Sequence, residues 1–216
     1  MDMFDDLPLA PEDARTDLAP GAVLLRGFAS GSMAELLQAV DAVTRAEPPQ
    51  HLQTPGGFTM SVRTTSCGRL GWVSDRQGYR YATHSPHSHR PWPAMPACFA
   101  ALARHAAEAA GYPGFAADAC LINEYAPGAK MSLHQDRDER DLGAPIVSVS
   151  LGLPAVFQFG GLQRNAPTQR LRLAHGDVLV WGGPSRLAFH GVLPLADGHH
   201  PLLGRRRVNL TFRKAG

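Results

Sequence analysis

Two residues near the middle of the chain have the types and the spacing of metal ligands. His134 and Asp136 are two positions apart, so on an extended strand their side chains point to the same face. A third ligand, His190, could come from far along the chain. Two histidines and one carboxylate on one face of a metal leave the remaining positions open for oxygen and a co-substrate. The set predicts a non-haem Fe(II) site.

The segment Arg207–Arg213, with the sequence RVNLTFR, alternates polar and apolar residues as a strand does. Its polar face carries Arg207, Asn209, Thr211 and Arg213, and its apolar face carries Val208, Leu210 and Phe212. Two guanidinium groups that point into a barrel are costly unless an anion lies between them. A dicarboxylate such as 2-oxoglutarate would satisfy both, so the strand predicts a co-substrate site.

Each of these signals is weak when it is taken alone. With ten histidines and 19 acidic residues in the chain, about one His-x-acid pair is expected by chance. A second pair, His175-Gly176-Asp177, precedes an apolar run and predicts a tight turn that enters a strand. His190 alone could be a core histidine, and Arg205-Arg206-Arg207 could be a solvated charge run. The joint occurrence in this order favours the iron site.

Length and composition indicate one domain, residues 1–216, large enough to bury a core without disulfides. Three widely spaced cysteines without a CxxC pattern argue against a disulfide framework and indicate a reducing compartment. The acidic start lacks the features of a signal peptide, and no apolar run has the length of a membrane span. We therefore expect a cytoplasmic protein. The net charge of +2 does not by itself indicate a nucleic-acid partner.

The elements that must position these residues follow from the patterning. Residues 1–20 are acidic and predict an extended or disordered lead-in. Residues 21–118 predict two helices, one opened by a Ser32/Glu35 capping box and ending near Arg45, the other from about Ala94 to Ala110. Residues 119–216 are predicted to form the catalytic core.

Short segments separated by glycine and proline predict about eight strands in that core. They are Cys120–Tyr125, Met131–Gln135, Pro145–Gly152, Val156–Gly160, Arg170–Leu173, Val178–Trp181, Leu187–His190 and Arg207–Arg213. Such a series fits a double-sheet jelly roll, with the helices against one face of the larger sheet. The predicted fold class is α+β, mainly β.

The segment 54–92 combines aromatic residues with arginines. It holds five aromatic residues, and between residues 58 and 92 five arginines stand against one aspartate. Rings interleaved with cations suit a platform for a single-stranded or flipped base. Trp72, Tyr79 and Tyr81 could serve this purpose, or they could be the core of a small β-ribbon. We expect Trp92, between two prolines, to be core, and we do not expect the cluster His84, His87 and His89 to be a metal site.

Together these residues resemble the bacterial AlkB family of oxidative alkylation-repair dioxygenases, from about residue 20 to the end. The segments that carry the resemblance are Thr54–Gly57, Gly68–Trp72, Asn123–Lys130, His134–Asp136, Ser148–Gly152, Phe157–Gly161 and Arg207–Arg213.

The resemblance implies a double-stranded β-helix that carries a nucleotide-recognition β-ribbon or lid. It implies Fe(II) held by His134, Asp136 and His190. It also implies 2-oxoglutarate bound through two arginines with three hydrogen-bonding partners, namely Arg207, Arg213, Asn123, Tyr125 and Asn209. Which arginine binds which carboxylate stays open. The implied reaction consumes O₂ and 2-oxoglutarate, yields succinate and CO₂, and hydroxylates an N-methyl group that then leaves as formaldehyde.

Five residues for the damaged base carry over by motif: Trp72, Tyr79, Tyr81, Asp138 and Arg164. The implied partners are DNA and RNA that contain 1-methyladenine or 3-methylcytosine, and we expect a monomer without an obligate protein partner. Both lesions are cationic, so an aspartate and a tryptophan face would favour them over neutral bases. Phe58, where the family pattern has tyrosine, and Val208, where it has an aromatic residue, leave the lesion preference open.

Two other functions fit parts of the pattern. The same iron chemistry could hydroxylate a protein or a small molecule, in which case Trp72 and Tyr79 would not affect turnover. A barrel that only binds nucleic acid could share the fold, but it would have no use for three iron ligands beside two inward arginines.

Overall fold

The computed structural model describes residues 14–216, and strands dominate this range. Its first half contains β1 (Arg15–Ala19), β2 (Ala22–Leu25), α1 (Met33–Ala46), β3 (Gln50–Gln53), β4 (Thr59–Gly68), β5 (Gly71–Asp75), β6 (Gly78–Ala82) and α2 (Ala97–Ala109). Its second half contains β7 (Ala119–Tyr125), β8 (Met131–His134), β9 (Ile146–Gly152), β10 (Ala155–Phe159), β11 (Gln169–Leu173), β12 (Val178–Trp181), β13 (His190–Val192) and β14 (Arg207–Arg213). No helix in residues 14–216 has the length and apolar character needed to cross a bilayer.

The strands form two facing sheets and a separate ribbon. The major sheet has the strand order β1-β2-β12-β9-β14-β7-β4-β3, and the minor sheet has the order β11-β10-β13-β8. Strands β5 and β6 pair only with each other, as a two-stranded ribbon. Tyr125, Phe157, Phe159 and Trp181 are among the buried residues that pack between the two sheets. The predicted jelly roll is therefore confirmed.

Strand β14 lies in the middle of the major sheet, between β7 and β9. Its alternation is as predicted: Val208, Leu210 and Phe212 join the core cluster that includes the helices. The four polar residues of the strand consequently face the minor sheet, and all of them are buried. The centre of the barrel therefore carries two buried arginines.

The two helices cover the outer face of the major sheet. The ring of Phe99 on α2 meets the ring of Phe212 edge to face, with 5.9 Å between centroids. Ser32 occupies the N-cap of α1 as predicted, but its side chain makes no capping hydrogen bond. Helix α2 begins at Ala97 instead of Ala94, because Pro96 at its N-cap has an extended backbone.

The structure redraws one predicted strand and divides one predicted segment between two sheets. His190 begins strand β13 and does not end a strand at Leu187–His190. The segment 54–92 contributes β4 to the major sheet and β5 and β6 to the ribbon. Of the predicted extended or disordered lead-in, residues 1–13 lie outside the described range, while β1 is an extended strand paired with β2.

Candidate active site

The three predicted metal ligands come together between strands β8 and β13. His134 ends β8, His190 begins β13, and the two residues are directly paired across the strands. Nε2 of His134 lies 3.6 Å from Oδ1 of Asp136, and Nε2 of His190 lies 3.8 Å from Oδ2. Within residues 14–216 this is the only set of three such side chains whose ligand atoms all lie within 4.8 Å of one another. The donor set fits Fe(II).

Hydrogen bonds orient both histidines for metal binding. Nδ1 of His134 lies 2.9 Å from the carbonyl oxygen of Ser132, and Nδ1 of His190 lies 3.0 Å from that of Ala188. An Nδ1–H that donates to a carbonyl leaves Nε2 with its lone pair free for a metal. The side chain of His134 is 37% exposed and that of His190 is 6% exposed. The site is therefore open on the side of His134.

The ionisation states of the ligands also suit a metal. Burial, reinforced by His134, lowers the pKa of His190 to about 4, so this imidazole is neutral near neutral pH. Burial by itself raises the pKa of Asp136, but Arg213 and the two histidines lower it well below its ordinary value. A neutral imidazole and an ionised carboxylate are the forms that bind a cation.

Arg207 is a buried cation without a carboxylate partner. It is 1% exposed, and its Nη2 donates to Oγ of Ser150 at 2.9 Å, but its Nε and Nη1 have no hydrogen-bond partner within the described residues. Its guanidinium lies over the ring of Tyr125, 5.0 Å from the centroid. Burial lowers the pKa of Arg207, and Tyr125 only partly opposes this shift. Unused donors on a buried cation fit a carboxylate of 2-oxoglutarate.

Arg213 has a different environment. Its Nη2 lies 2.6 Å from Oδ2 of Asp136, and its Nε lies 3.2 Å from Oε1 of Glu139. Burial would lower the pKa of Arg213, but Asp136, Tyr81 and Glu139 raise it above its ordinary value. From the sequence we expected both guanidiniums to lack a protein partner, whereas in the structure only Arg207 of the two lacks an acidic one.

The polar side chains around these arginines already make hydrogen bonds within the protein. Nδ2 of Asn209 donates to Oγ of Ser148 and to the carbonyl oxygen of Val149, at 2.8 and 2.9 Å. Both of its N–H groups are therefore used within the protein. Oδ1 of Asn123 accepts a hydrogen bond of 3.0 Å from Thr64. The structure brings these residues to the arginine side of the barrel but gives Asn209 no spare donor for a ligand.

The predicted base-recognition residues lie on the ribbon and beside the metal ligands. The rings of Trp72 on β5 and Tyr79 on β6 stack with 5.4 Å between centroids and 14° between planes. Nε1 of Trp72 donates to Oδ2 of Asp138 at 2.9 Å. The hydroxyl of Tyr81 donates to Oε1 of Glu139 at 2.7 Å. The ribbon is thus tied to the segment that contains Asp136.

Arg164 reaches the same region from the loop that follows β10. Its Nη1 donates to the carbonyl oxygen of Leu133 at 2.7 Å, one residue before the metal ligand His134. Its guanidinium also lies 5.0 Å from the centroid of the Phe189 ring. The cation is therefore positioned next to the exposed side of the metal site.

Other parts of segment 54–92 have structural roles or lie apart. Trp92 packs over Gly71, where a Cβ would clash with its ring, and its Nε1 donates to the carbonyl oxygen of Ala82. Trp92 thus has a packing role, although it is half-buried and does not belong to the core. Phe58 is 77% exposed. His84, His87 and His89 belong to no ligand set within the described residues.

The positive charge of this segment is largely compensated. Arg63 pairs with Glu124 at 2.8 Å, Arg69 with Asp118 at 2.6 Å and Arg80 with Asp75 at 2.7 Å. A count of charges along the sequence therefore overstates the positive potential that a nucleic acid would meet. This segment therefore offers a nucleic acid stacked aromatic rings, Trp72 and Tyr79, more than unpaired positive charges.

Two residues that the sequence reasoning missed are central to the site. Glu139 and Arg186 are both buried, and Nη2 of Arg186 lies 2.9 Å from Oε2 of Glu139. In the sequence, Glu139 belongs to the charged run Asp136–Arg140, which looks like a solvated loop. That Glu139 is the one buried residue of this run depends on packing that no local pattern reveals.

Comparisons with known proteins agree with this geometry. The model of the 2OG-Fe(II) oxygenase superfamily matches residues 21–213. The alpha-ketoglutarate-dependent dioxygenase AlkB of Escherichia coli (strain K12) is 57% identical over 216 residues, which cover 100% of this chain and 98% of that protein. The tRNA demethylase abh1 of Schizosaccharomyces pombe is 30% identical over 159 residues, which cover 68% of this chain and 53% of that protein.

Among solved structures, OsALKBH1 superimposes with a TM-score of 0.75 at 29% sequence identity. The match covers 93% of this chain and 100% of that chain. The family match over residues 21–213, together with 57% identity to a relative over the full length of this chain, shows which family the chain belongs to. The chain belongs to the 2OG-Fe(II) oxygenase superfamily and, within it, to the AlkB family of alpha-ketoglutarate-dependent dioxygenases.

Proposed function

We propose that this enzyme uses Fe(II), 2-oxoglutarate and O₂ to demethylate N-alkylated bases, 1-methyladenine and 3-methylcytosine, in DNA and in RNA. One observation carries the choice of substrate: the stacked pair Trp72 and Tyr79 is hydrogen-bonded to Asp138, two residues beyond the metal ligand Asp136. A planar base that packs against this pair would lie close to the metal ligands. The relative in Schizosaccharomyces pombe is named a tRNA demethylase, in keeping with a nucleic-acid substrate.

We assign His134, Asp136 and His190 to Fe(II). When it is bound together with 2-oxoglutarate, the metal supplies the oxidation chemistry. Arg207 would bind one carboxylate of the co-substrate through its unused Nε–H and Nη1–H, with the ring of Tyr125 beneath the guanidinium. Arg213 would bind the other carboxylate, beside Asp136, with Asn123 and Asn209 holding the surrounding strands. Because Arg213 is the arginine that contacts Asp136, we assign Arg207 to the carboxylate that lies farther from the metal.

The overall reaction balances without a further co-reactant. One atom of O₂ enters succinate as 2-oxoglutarate loses CO₂, and the other enters the C–H bond of the N-methyl group. The product, a hydroxymethyl group on nitrogen, then loses formaldehyde: the hydroxyl releases its proton to solvent, the C=O bond forms, the C–N bond breaks and the nitrogen keeps the electron pair. The cationic lesion thereby becomes a neutral base.

Recognition of the lesion would depend on charge as well as shape. A cation over an indole face is favoured by about 0.5–2 kcal/mol, and Trp72 offers such a face. Asp138 adds a carboxylate on the same side, Arg164 lies at the exposed side of the metal site, and Tyr81 anchors the ribbon. A base blocked on its pairing edge also leaves the stack more easily than a paired one.

The direct test is formaldehyde release from a 3-methylcytosine oligonucleotide, started by air after anaerobic loading with Fe(II) and 2-oxoglutarate. We expect formaldehyde and succinate in equal amounts, and no formaldehyde from the unmethylated strand. Intact metal and 2-oxoglutarate binding without formaldehyde would refute the proposal. The same assay with methylated RNA, and on 1-methyladenine, would establish the order of preference.

We further propose that the protein works in the cytoplasm as a monomer without an obligate protein partner. The absence of a spanning helix in residues 14–216 is compatible with this location. Light scattering at several protein concentrations would test the oligomeric state.

A further inference from the structure

The hairpin formed by β10 and β11 carries positive charge and no negative charge of its own. Residues 155–173, which are the two strands and their connecting loop, contain no acidic residue and three arginines, namely Arg164, Arg170 and Arg172. On the β5–β6 ribbon, by contrast, Arg80 is paired with Asp75 at 2.7 Å. The hairpin therefore has a net charge of +3 in one short stretch, three arginines minus no acids.

Two of these arginines lie on the outer face of the minor sheet. Arg170 and Arg172 are two positions apart on β11, so their side chains share one face and begin about 7 Å from each other. The residues that alternate with them, Leu171 and Leu173, pack among the buried side chains between the two sheets. Arg170 is exposed and Arg172 is half-buried. Both guanidinium groups therefore point away from the barrel interior.

The same hairpin reaches the open side of the metal site. Gln169, at the start of β11, pairs with Phe159, which in turn pairs with the metal ligand His190. The loop between β10 and β11 carries Arg164, which hydrogen-bonds to the backbone one residue before His134. The three arginines of the hairpin thus form a strip, here called the basic strip, that begins at the metal site and continues along β11 away from it.

The described carboxylates near the basic strip are already paired with other arginines. Strand β1 adjoins the start of β11 through a side-chain hydrogen bond of 3.3 Å. The acid of that strand, Asp17, pairs with Arg15 at 3.0 Å. Beyond the end of β11, the buried Asp177 pairs with Arg26 at 2.6 Å. Neither carboxylate pairs with Arg172 in the described part of the chain, so this end of the strip attracts anions.

We propose that the basic strip binds phosphates of the substrate strand on one side of the damaged base. A base held between Trp72 and the metal ligands leaves its neighbouring nucleotides outside the barrel, where Arg164 begins the strip. Guanidinium groups bind phosphate oxygens through paired N–H donors, and such contacts position a strand without reading its sequence. The hairpin thus adds affinity for strands that extend beyond the lesion and its nearest neighbours. The inference rests on the proposed function and adds a binding surface to it.

The salt dependence of binding tests this surface on the full-length protein with 2-oxoglutarate and Mn(II), which binds such sites without turnover. Fluorescence anisotropy would compare a 3-methylcytosine single strand of about nine nucleotides with a trinucleotide that carries the same lesion. Each phosphate contact contributes about 0.7 to the slope of log K against log salt concentration. For the longer strand, we expect this slope to become shallower by about 0.7 in Arg172→Gln and by about 1.4 in Arg170→Gln/Arg172→Gln. Arg104→Gln, an exposed position on α2 across the molecule, is the matched control.

The outcomes separate phosphate binding by the strip from general charge and from the proposed function. An unchanged slope in the double variant, an equal change in Arg104→Gln or an equal loss with the trinucleotide overturns the inference. A change that occurs only with duplex DNA assigns the strip to the complementary strand and also overturns it. Formaldehyde release from the trinucleotide with Fe(II) tests the proposed function separately, and it should be the same in the wild-type protein and in the double variant. Its absence in the wild-type protein would refute the proposed function, whereas the slopes alone decide on the strip.

Discussion

The interior of the barrel and the β5–β6 ribbon hold their functional residues in different ways. In the interior, His134, His190 and Arg207 lie on strands paired within the two sheets, and Arg207 is 1% exposed. Asp136 follows β8 by two residues, and Arg213 and Arg186 hold it by hydrogen bonds. On the ribbon, Trp72 and Tyr79 lie on two strands that pair only with each other, and Tyr79 is 47% exposed. The difference teaches that the two histidines and Arg207 are held by backbone pairing within the sheets, whereas Trp72 is held by a side-chain hydrogen bond to Asp138 and Tyr79 by stacking on Trp72.

Loss of a metal ligand should have the largest effect on activity. We expect His190→Ala to lower formaldehyde production by more than about 100-fold, since even supporting residues of metal ligands contribute 10–100-fold. Binding of Co(II), followed by its absorbance, should weaken in parallel. His175→Ala, in the other His-x-Asp pair, is the control and should keep both. Equal losses in the two variants would contradict a special role for the interior site.

The two interior arginines should respond oppositely when each is replaced by methionine. Arg213→Met leaves Asp136 and Glu139 short of a partner, and we expect the free energy of unfolding to fall by about 3–5 kcal/mol. Arg207→Met removes a buried charge that has no acidic partner, so the stability without ligand should stay equal or rise. Urea unfolding of both proteins measures the difference.

Arg207→Met should nevertheless abolish stabilisation by 2-oxoglutarate in a thermal melt with Mn(II). A melting temperature that still rises with 2-oxoglutarate would mean that Arg207 does not bind the co-substrate. A large loss of stability without ligand would mean that its charge is compensated after all.

Truncation on the ribbon should affect the nucleic acid alone. Trp72→Ala removes a stacking face worth about 1–3 kcal/mol, so we expect KM for a 3-methylcytosine oligonucleotide to rise roughly 5- to 150-fold. The affinity for 2-oxoglutarate, measured by calorimetry, should stay within about 2-fold. A comparable loss of 2-oxoglutarate affinity would break the division between the two regions.

A change of charge at Asp138 should have the smallest effect. In Asp138→Asn the side chain can still accept from Nε1 of Trp72, but the carboxylate that favours a cationic base is gone. We expect the preference for 3-methylcytosine over cytosine in competition binding to fall about 5-fold, the size of a partly exposed charge interaction. An unchanged preference would assign the discrimination to Trp72.

The alternation and spacing of residues in the sequence were sufficient to predict much of the fold. The period of two along residues 207–213 predicts which side chains of β14 face the helices and which face the minor sheet, and both are as predicted. The start of β13 at His190 was not predictable, because Leu187–Phe189 is as apolar as a strand. Pairing partners decide such boundaries, and they come from distant parts of the chain.

The sequence by itself predicted the metal ligands, the arginine-bearing strand and the aromatic residues before the barrel. Residue type and short spacing indicate His134, Asp136 and the strand Arg207–Arg213, whereas the distant His190 follows only from their joint occurrence and the family resemblance. Only the tertiary structure decided which charges are paired. It placed Glu139 and Arg186 in the interior, gave Arg213 two acidic partners and left Arg207 with none. The physical reason is that the cost of a charge depends on burial and on neighbours brought from far along the chain, and neither follows from local spacing.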